Sequence, residues 1–146
     1  MSGEVTTDLV TESGDLVTYA ARLVRAVRRA VEHPTGVRVL SLLDEHGPLG
    51  ISALASADRC SQPTMSGTVA SLVESGLVTK TANPDDARGS LVALTEAGRS
   101  ELTRVRRANG REVADRLTRS ACSAEDLQTA IAVLRAALDS LEKGPQ

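Results

Sequence analysis

The chain has 146 residues with 41% apolar content, a formal net charge of −2 and Tyr19 as its one Tyr, Phe or Trp side chain. A single domain of this size folds without a metal or disulfide staple, and here its core must be built from Leu, Val, Ile and Ala. Cys60 and Cys122 are too isolated for a disulfide framework or a cysteine-rich metal site, and no apolar run is long enough to span a membrane.

Residues 1–12 are polar without apolar periodicity and read as a flexible arm; Glu4 and Asp8 stand where a signal peptide would be basic and apolar. Over residues 13–32, Leu16, Ala20, Leu23, Val27 and Ala30 recur at helical spacing, with Arg22, Arg25, Arg28 and Arg29 mostly off that stripe. His33-Pro34 ends this helix. A second helix is predicted over 36–45, closed by His46-Gly47-Pro48. A short third helix over 51–57 turns Ile51, Leu54 and Ala55 inward. Ser61 then reads as the N-cap of a fourth helix, with Pro63 tolerated in its first turn and Met65, Val69, Leu72 and Val73 on its buried face.

Leu77–Thr81 and Ser90–Leu94 read as two strands around the turn Asn83-Pro84-Asp85-Asp86, a hairpin with an extended tip at 82–89. Thr95 caps an arginine-rich fifth helix reaching about Thr118. Ser123 caps a sixth, where Leu127, Ile131, Leu134, Leu138 and Leu141 alternate four and three apart, a heptad seam too short to stand alone.

The order helix, helix, short helix, turn, helix, hairpin, helix, helix is that of a winged helix-turn-helix, mainly α with a small β-hairpin wing. The helix-turn-helix lies at about 51–75. The outer face of its second helix carries Gln62, Pro63, Thr64, Ser66, Gly67, Ala70 and Ser71, nothing bulky enough to keep it out of a major groove. Gln pairs bidentately with adenine, and Ser or Thr bonds either base. The plain alternative is a small solvated face that binds nothing; the wing directly after it favours DNA. Charge argues the other way, because 39–95 holds three bases (Arg59, Lys80, Arg88) and six acids (Asp44, Glu45, Asp58, Glu74, Asp85, Asp86).

Several stretches carry a family resemblance: Val39-Leu40, Glu45-His46-Gly47-Pro48-Leu49, Ser61-Gln62-Pro63-Thr64-Met65, Leu72 to Val78, Pro84-Asp85-Asp86-Ala87-Arg88 and Leu94-Thr95-Glu96-Ala97-Gly98. This pattern resembles the MarR family of bacterial regulators, most specifically in the Asp-x-Arg of the wing followed by Leu-Thr-x-x-Gly. The resemblance implies a DNA-binding lobe at 36–95 and dimerisation helices at 13–33 and 96–143 within one domain of residues 13–146. Arg88 is similar to the wing arginine that enters the minor groove, and Asp86 to the acid that steadies it. Gln62, Thr64 and Ser66 match positions that face bases. Relatives often carry a second base at the position of Ala87 and another at Gly67 or Ser71, all uncharged here. Phosphate contacts are therefore expected from Arg38, Arg59, Lys80 and Arg88 plus helix N-termini.

The resemblance also implies a homodimer through Leu16, Leu23, Val27, Leu127, Ile131, Leu134, Leu138 and Leu141, against the alternative that these stripes pack within one chain. It implies a pseudo-palindromic operator, repression, a cytoplasmic, nucleoid-associated protein and a small-molecule effector near Tyr19, Arg22, His33 and Arg38, although packing and solubility equally explain Tyr19 and Arg22. No cofactor and no metal are expected: His33 and His46 form no ligand cluster, and Cys60 reads as a small buried hydrophobe. No glycine-rich phosphate loop, nucleophile elbow or Cys–His pair points to an enzyme. A winged helix serving protein–protein contact without DNA is the alternative.

Overall fold

The computed structural model describes residues 6–144. The elements are α1 (Thr7–Ala30), α2 (Val37–His46), β1 (Leu49–Gly50), α3 (Ile51–Asp58), α4 (Gln62–Glu74), β2 (Val78–Asn83), β3 (Asp86–Leu94), α5 (Glu96–Leu117) and α6 (Ala124–Glu142). The chain is mainly helical with one antiparallel sheet in the order β1-β3-β2, the winged-helix architecture that the sequence predicts. It divides into two compact units, one reaching Gly110 and one starting at Arg111, with α5 continuous through the division.

The core of the first unit is aliphatic throughout. Val39, Leu40 and Leu43 of α2, Leu54 and Ala55 of α3, Met65, Val69 and Leu72 of α4, Val78, Val92 and Leu102 converge there. In α4 the spacing 65, 69, 72 puts three side chains on one helix face, and burying each such side chain stabilises by roughly 1.5–3 kcal/mol. Val73 is the exception to the predicted buried face: it stands 41% exposed. One residue beyond Leu72 a helix has turned about 100°, which carries Val73 away from the core.

Capping fixes the ends of α4. The Ser61 hydroxyl accepts from the Thr64 N–H at 3.2 Å, and Gly76 follows the helix with φ 74°, a left-handed position suited to glycine. Leu77 N–H then donates back to the Leu72 carbonyl at 2.9 Å. At the sheet's other edge β1 is only two residues long, with Leu49 opposite Val92 and Gly50 opposite Leu91. So short a strand carries no period-2 signal, which is why the sequence reading has only the hairpin.

The first helix also starts earlier than the expected arm allows. Residues 1–5 of that arm lie outside the described residues, but α1 begins at Thr7, where Thr6 caps it by accepting from Leu9 N–H at 3.3 Å. Its first two turns hold only the adjacent pair Leu9-Val10 as apolar residues, followed by Ser13-Gly14, so the apolar period becomes visible only from Leu16. Nothing on α1 is fully buried: Leu16, Ala20 and Val27 are half-covered, while Leu23 is exposed.

In the second unit α6 is held by a reciprocal capping box. Ser123 N–H donates to the Asp126 carboxylate at 2.8 Å, and Asp126 N–H donates to the Ser123 hydroxyl at 3.1 Å. The Ser123 N–H above all, with the Ser123 hydroxyl beside it, holds the Asp126 carboxyl below its ordinary value of 3.8. No residue of α6 is buried, and Leu127, Ile131, Leu134, Leu138 and Leu141 all lie exposed along it.

Candidate nucleic-acid interface

α3 and α4 are joined through Arg59, Cys60 and Ser61. The turn is tight: Arg59 N–H donates to the Ser56 carbonyl at 3.3 Å and Cys60 N–H to the Ala55 carbonyl at 3.0 Å. To make this corner Arg59 adopts φ 55°, the only positive φ outside glycine among the described residues. A side chain in that region costs about 1–2 kcal/mol. Cys60 packs against the core from its half-buried position, as a small hydrophobe does.

The outer face of α4 is open. Gln62, Pro63, Thr64, Ser66, Gly67, Ala70 and Ser71 are all exposed. A Cβ placed on Gly67 would meet nothing within 4 Å, so the backbone itself is accessible there. The Thr64 hydroxyl accepts from the Ser61 hydroxyl at 2.8 Å, which leaves its own proton free to be donated. The start of α4 is a weaker anion site than helix N-termini generally are, because Pro63 has no N–H and that of Thr64 is spent on Ser61.

The wing is organised by two side chains of its own turn. Asn83 Oδ1 accepts from Asp85 N–H and Asp86 Oδ1 from Arg88 N–H, both at 3.0 Å. Strand register slips here: Ala82 pairs with Ser90 but Asn83 with Asp86, so Ala87, Arg88 and Gly89 bulge from β3 without partners on β2. Arg88 leaves the sheet from that bulge and is exposed. Asp86 thus steadies the arginine through its backbone rather than by an ion pair with the guanidinium.

The four cations expected at phosphates are not equivalent. Arg59, Lys80 and Arg88 are exposed and have no acidic partner among the described residues. Arg38 does: its guanidinium is paired with the Asp58 carboxylate at the end of α3. The sequence reading places Arg38 at phosphates without this pair, and the reason is simple. The contact joins residues twenty apart, and no helical spacing announces it.

The expected effector residues are also separated. His33 and Arg38 line an open cleft of about 580 Å³ together with Arg28, Arg29, Glu32 and Val37, whereas Tyr19 and Arg22 lie outside it. Arg22 stacks over the Tyr19 ring at 5.4 Å, two turns up α1 from the cleft. His33 Nε2 and Asn109 Oδ1 are 2.7 Å apart, tying the segment after α1 to α5. Asn109 went unread in the sequence, since a polar residue on a polar helix face gives no signal. Among the described residues no group of three or more His, Cys, Asp and Glu is placed to hold a metal ion, and no helix is long and apolar enough to cross a membrane.

Comparison with known proteins fits this geometry. The MarR family model matches residues 33–90, from the cleft to the wing. An uncharacterized HTH-type transcriptional regulator of Mycobacterium bovis is 32% identical over 130 residues, covering 86% of this chain and 91% of its own. The chain belongs to the MarR family. A second such regulator, of Mycobacterium leprae, is 31% identical over 109 residues, covering 72% of this chain and 76% of its own. The fold agrees with that of a MarR family protein from Bacillus stearothermophilus, at a TM-score of 0.67 and 22% identity over 95% of this chain and 99% of the other. It agrees also with apo MarR from E. coli, at a TM-score of 0.64 and 20% identity over 93% of this chain and 99% of the other. In this MarR-family transcriptional regulator α4 carries no basic residue.

Proposed function

We propose that this MarR-family protein is a homodimeric repressor that binds a pseudo-palindromic operator in duplex DNA, inserting α4 into the major groove and Arg88 into the adjacent minor groove. The observation that carries this reading is the pairing of an open, small polar face on α4 with an arginine bulged from the wing beside it. A smooth helix face admits close approach to base edges, and an arginine on a wing tip reads groove width and potential. Gln62, Pro63, Thr64, Ser66, Gly67 and Ser71 are assigned to the major groove; Arg59 and Lys80 are assigned to phosphates, as is Arg88 where it passes the backbone into the minor groove.

The dimer is inferred from α6 and α1. Six large apolar side chains along α6, the five of the seam and Val133, and the Leu16, Leu23, Val27 side of α1 lie uncovered or half-covered. Surfaces of that kind mark partner contacts. A two-fold dimer presents two α4 helices to half-sites about one helical turn apart. Such a regulator would act in the cytoplasm, at the nucleoid. The cleft at His33 and Arg38 is assigned to a small effector whose binding releases DNA, with Tyr19 and Arg22 outside it.

Genomic fragment selection followed by a gel shift at two salt concentrations tests the reading. Enrichment of a pseudo-palindrome supports it. Retention of no DNA even at low salt overturns it in favour of a winged helix that docks onto protein, the alternative that the acidic balance of 39–95 favours.

A further inference from the structure

We propose that the half-site positions beneath α4 are chiefly A·T pairs, read through adenine edges and thymine methyls, and that guanine receives no bidentate Arg or Lys contact from this helix. The inference rests on the DNA-binding reading above and specifies its ligand. It comes from what the exposed face of α4 can and cannot offer.

The commonest specific contact to guanine is an Arg or Lys reaching O6 and N7 together. From Gln62 to Glu74, α4 has no Arg, Lys or His, and its single charged side chain is the acid at its last residue. The nearby cations are placed elsewhere. Arg38 is held by Asp58, Arg59 leaves the chain ahead of the cap, and Lys80 and Arg88 belong to the wing strands.

What the face does offer suits A·T pairs. The Gln62 side chain is exposed and makes no hydrogen bond among the described residues, so both ends of its amide are free for adenine N6 and N7. Pro63, Gly67 and Ala70 follow one another at intervals of four and three, along one side of the helix. The Pro63 ring and the Ala70 methyl are apolar points for thymine methyls, and the bare backbone at Gly67 lets the helix approach the groove floor between them. The wing selects in the same direction. Arg88, with no acidic partner among the described residues, gains most from a narrow minor groove of enhanced negative potential, which is the property of A-tracts. Two separate elements thus favour the same base composition in neighbouring grooves.

The test is selection of random duplexes by the full-length protein, followed by binding to the selected duplex with modified bases. A·T pairs are expected at the enriched positions of each half-site. Replacing dT by dU across a half-site removes the methyls and is expected to weaken binding about fivefold or more, while 7-deaza-dG changes it less than twofold. Enriched G·C pairs whose binding collapses with 7-deaza-dG, or indifference to dU, would overturn the A·T proposal and leave the DNA-binding reading intact. Failure to enrich any duplex at low salt would instead remove that underlying reading, and this proposal with it.

Discussion

Gly98 lies so close beneath the Leu77 carbonyl that a Cβ built on it would stand 2.1 Å from that oxygen. The approach joins the first turn of α5 to the residue leading into β2, and therefore to the wing. Thr95 reinforces the junction. Its N–H donates to the Leu77 carbonyl at 3.1 Å, its hydroxyl donates to the Gly76 carbonyl at 2.7 Å, and that same hydroxyl accepts from Gly98 N–H at 3.0 Å. The Leu-Thr-x-x-Gly stretch is thus a backbone clasp. Gly98→Ala must push backbone against backbone, so it is expected to destabilise the fold by about 1–3 kcal/mol, the usual range for overpacking. Thermal unfolding checks it; an unchanged midpoint would mean that α5 shifts freely.

The wing bulge makes a prediction about two residues acting in series. Arg88→Ala is expected to weaken operator binding about tenfold or more with no change in unfolding, because the exposed guanidinium supports nothing else in the fold. Asp86→Ala removes the acceptor of the Arg88 N–H and is expected to weaken binding by a smaller factor. In the double variant the two losses should not add, since Asp86 acts only by placing Arg88. Additive losses in a gel-shift titration would show that Asp86 contributes on its own.

Arg59 separates stability from binding. Its left-handed backbone suits glycine, so Arg59→Gly is expected to raise stability by up to about 1–2 kcal/mol. The same change removes a cation assigned to phosphate and should lower DNA affinity uniformly across sequences. A loss confined to particular base positions would mean that Arg59 reads bases instead.

The exposed seam of α6 predicts the oligomeric state. Leu134 stands in the middle of the run from Leu127 to Leu141. Leu134→Asp places a charge where the dimer interface is proposed and is expected to yield monomers that retain the helical content of the wild type. Light scattering beside circular dichroism measures both. A variant that stays dimeric would move the interface off α6.

Most of the fold was legible because its signals are local. Ser61, Thr95 and Ser123 announce their caps, His46-Gly47-Pro48 the stop of α2, and the wing its turn residues. What stayed hidden was long-range or too short to have a period. The β1 pairing of Leu49 with Val92, the His33–Asn109 contact and the Arg38–Asp58 pair each join positions unrelated by helical or strand spacing. At the candidate site, the exposed groups of α4 could be read directly from the sequence. The pairing of Arg38 with Asp58 could not, because it depends on how α2 packs beside α3.

That pairing has a measurable consequence. Each protomer offers Arg59, Lys80 and Arg88 without acidic partners among the described residues, or about six phosphate contacts for a dimer, which gives a log–log salt slope near −5. Asp58→Asn frees Arg38 from its ion pair. If Arg38 can then reach phosphate, the slope should steepen by about 2 for the dimer and affinity should rise at low salt. The ion pair itself is exposed on the arginine side and adds little to stability, so the variant is expected to fold normally. Titrations at several salt concentrations distinguish the cases. A steep wild-type slope near −7 would show that Arg38 already leaves Asp58 when DNA arrives. A shallow slope unchanged by Asp58→Asn would place Arg38 out of reach of the backbone and leave the three remaining cations as the electrostatic grip.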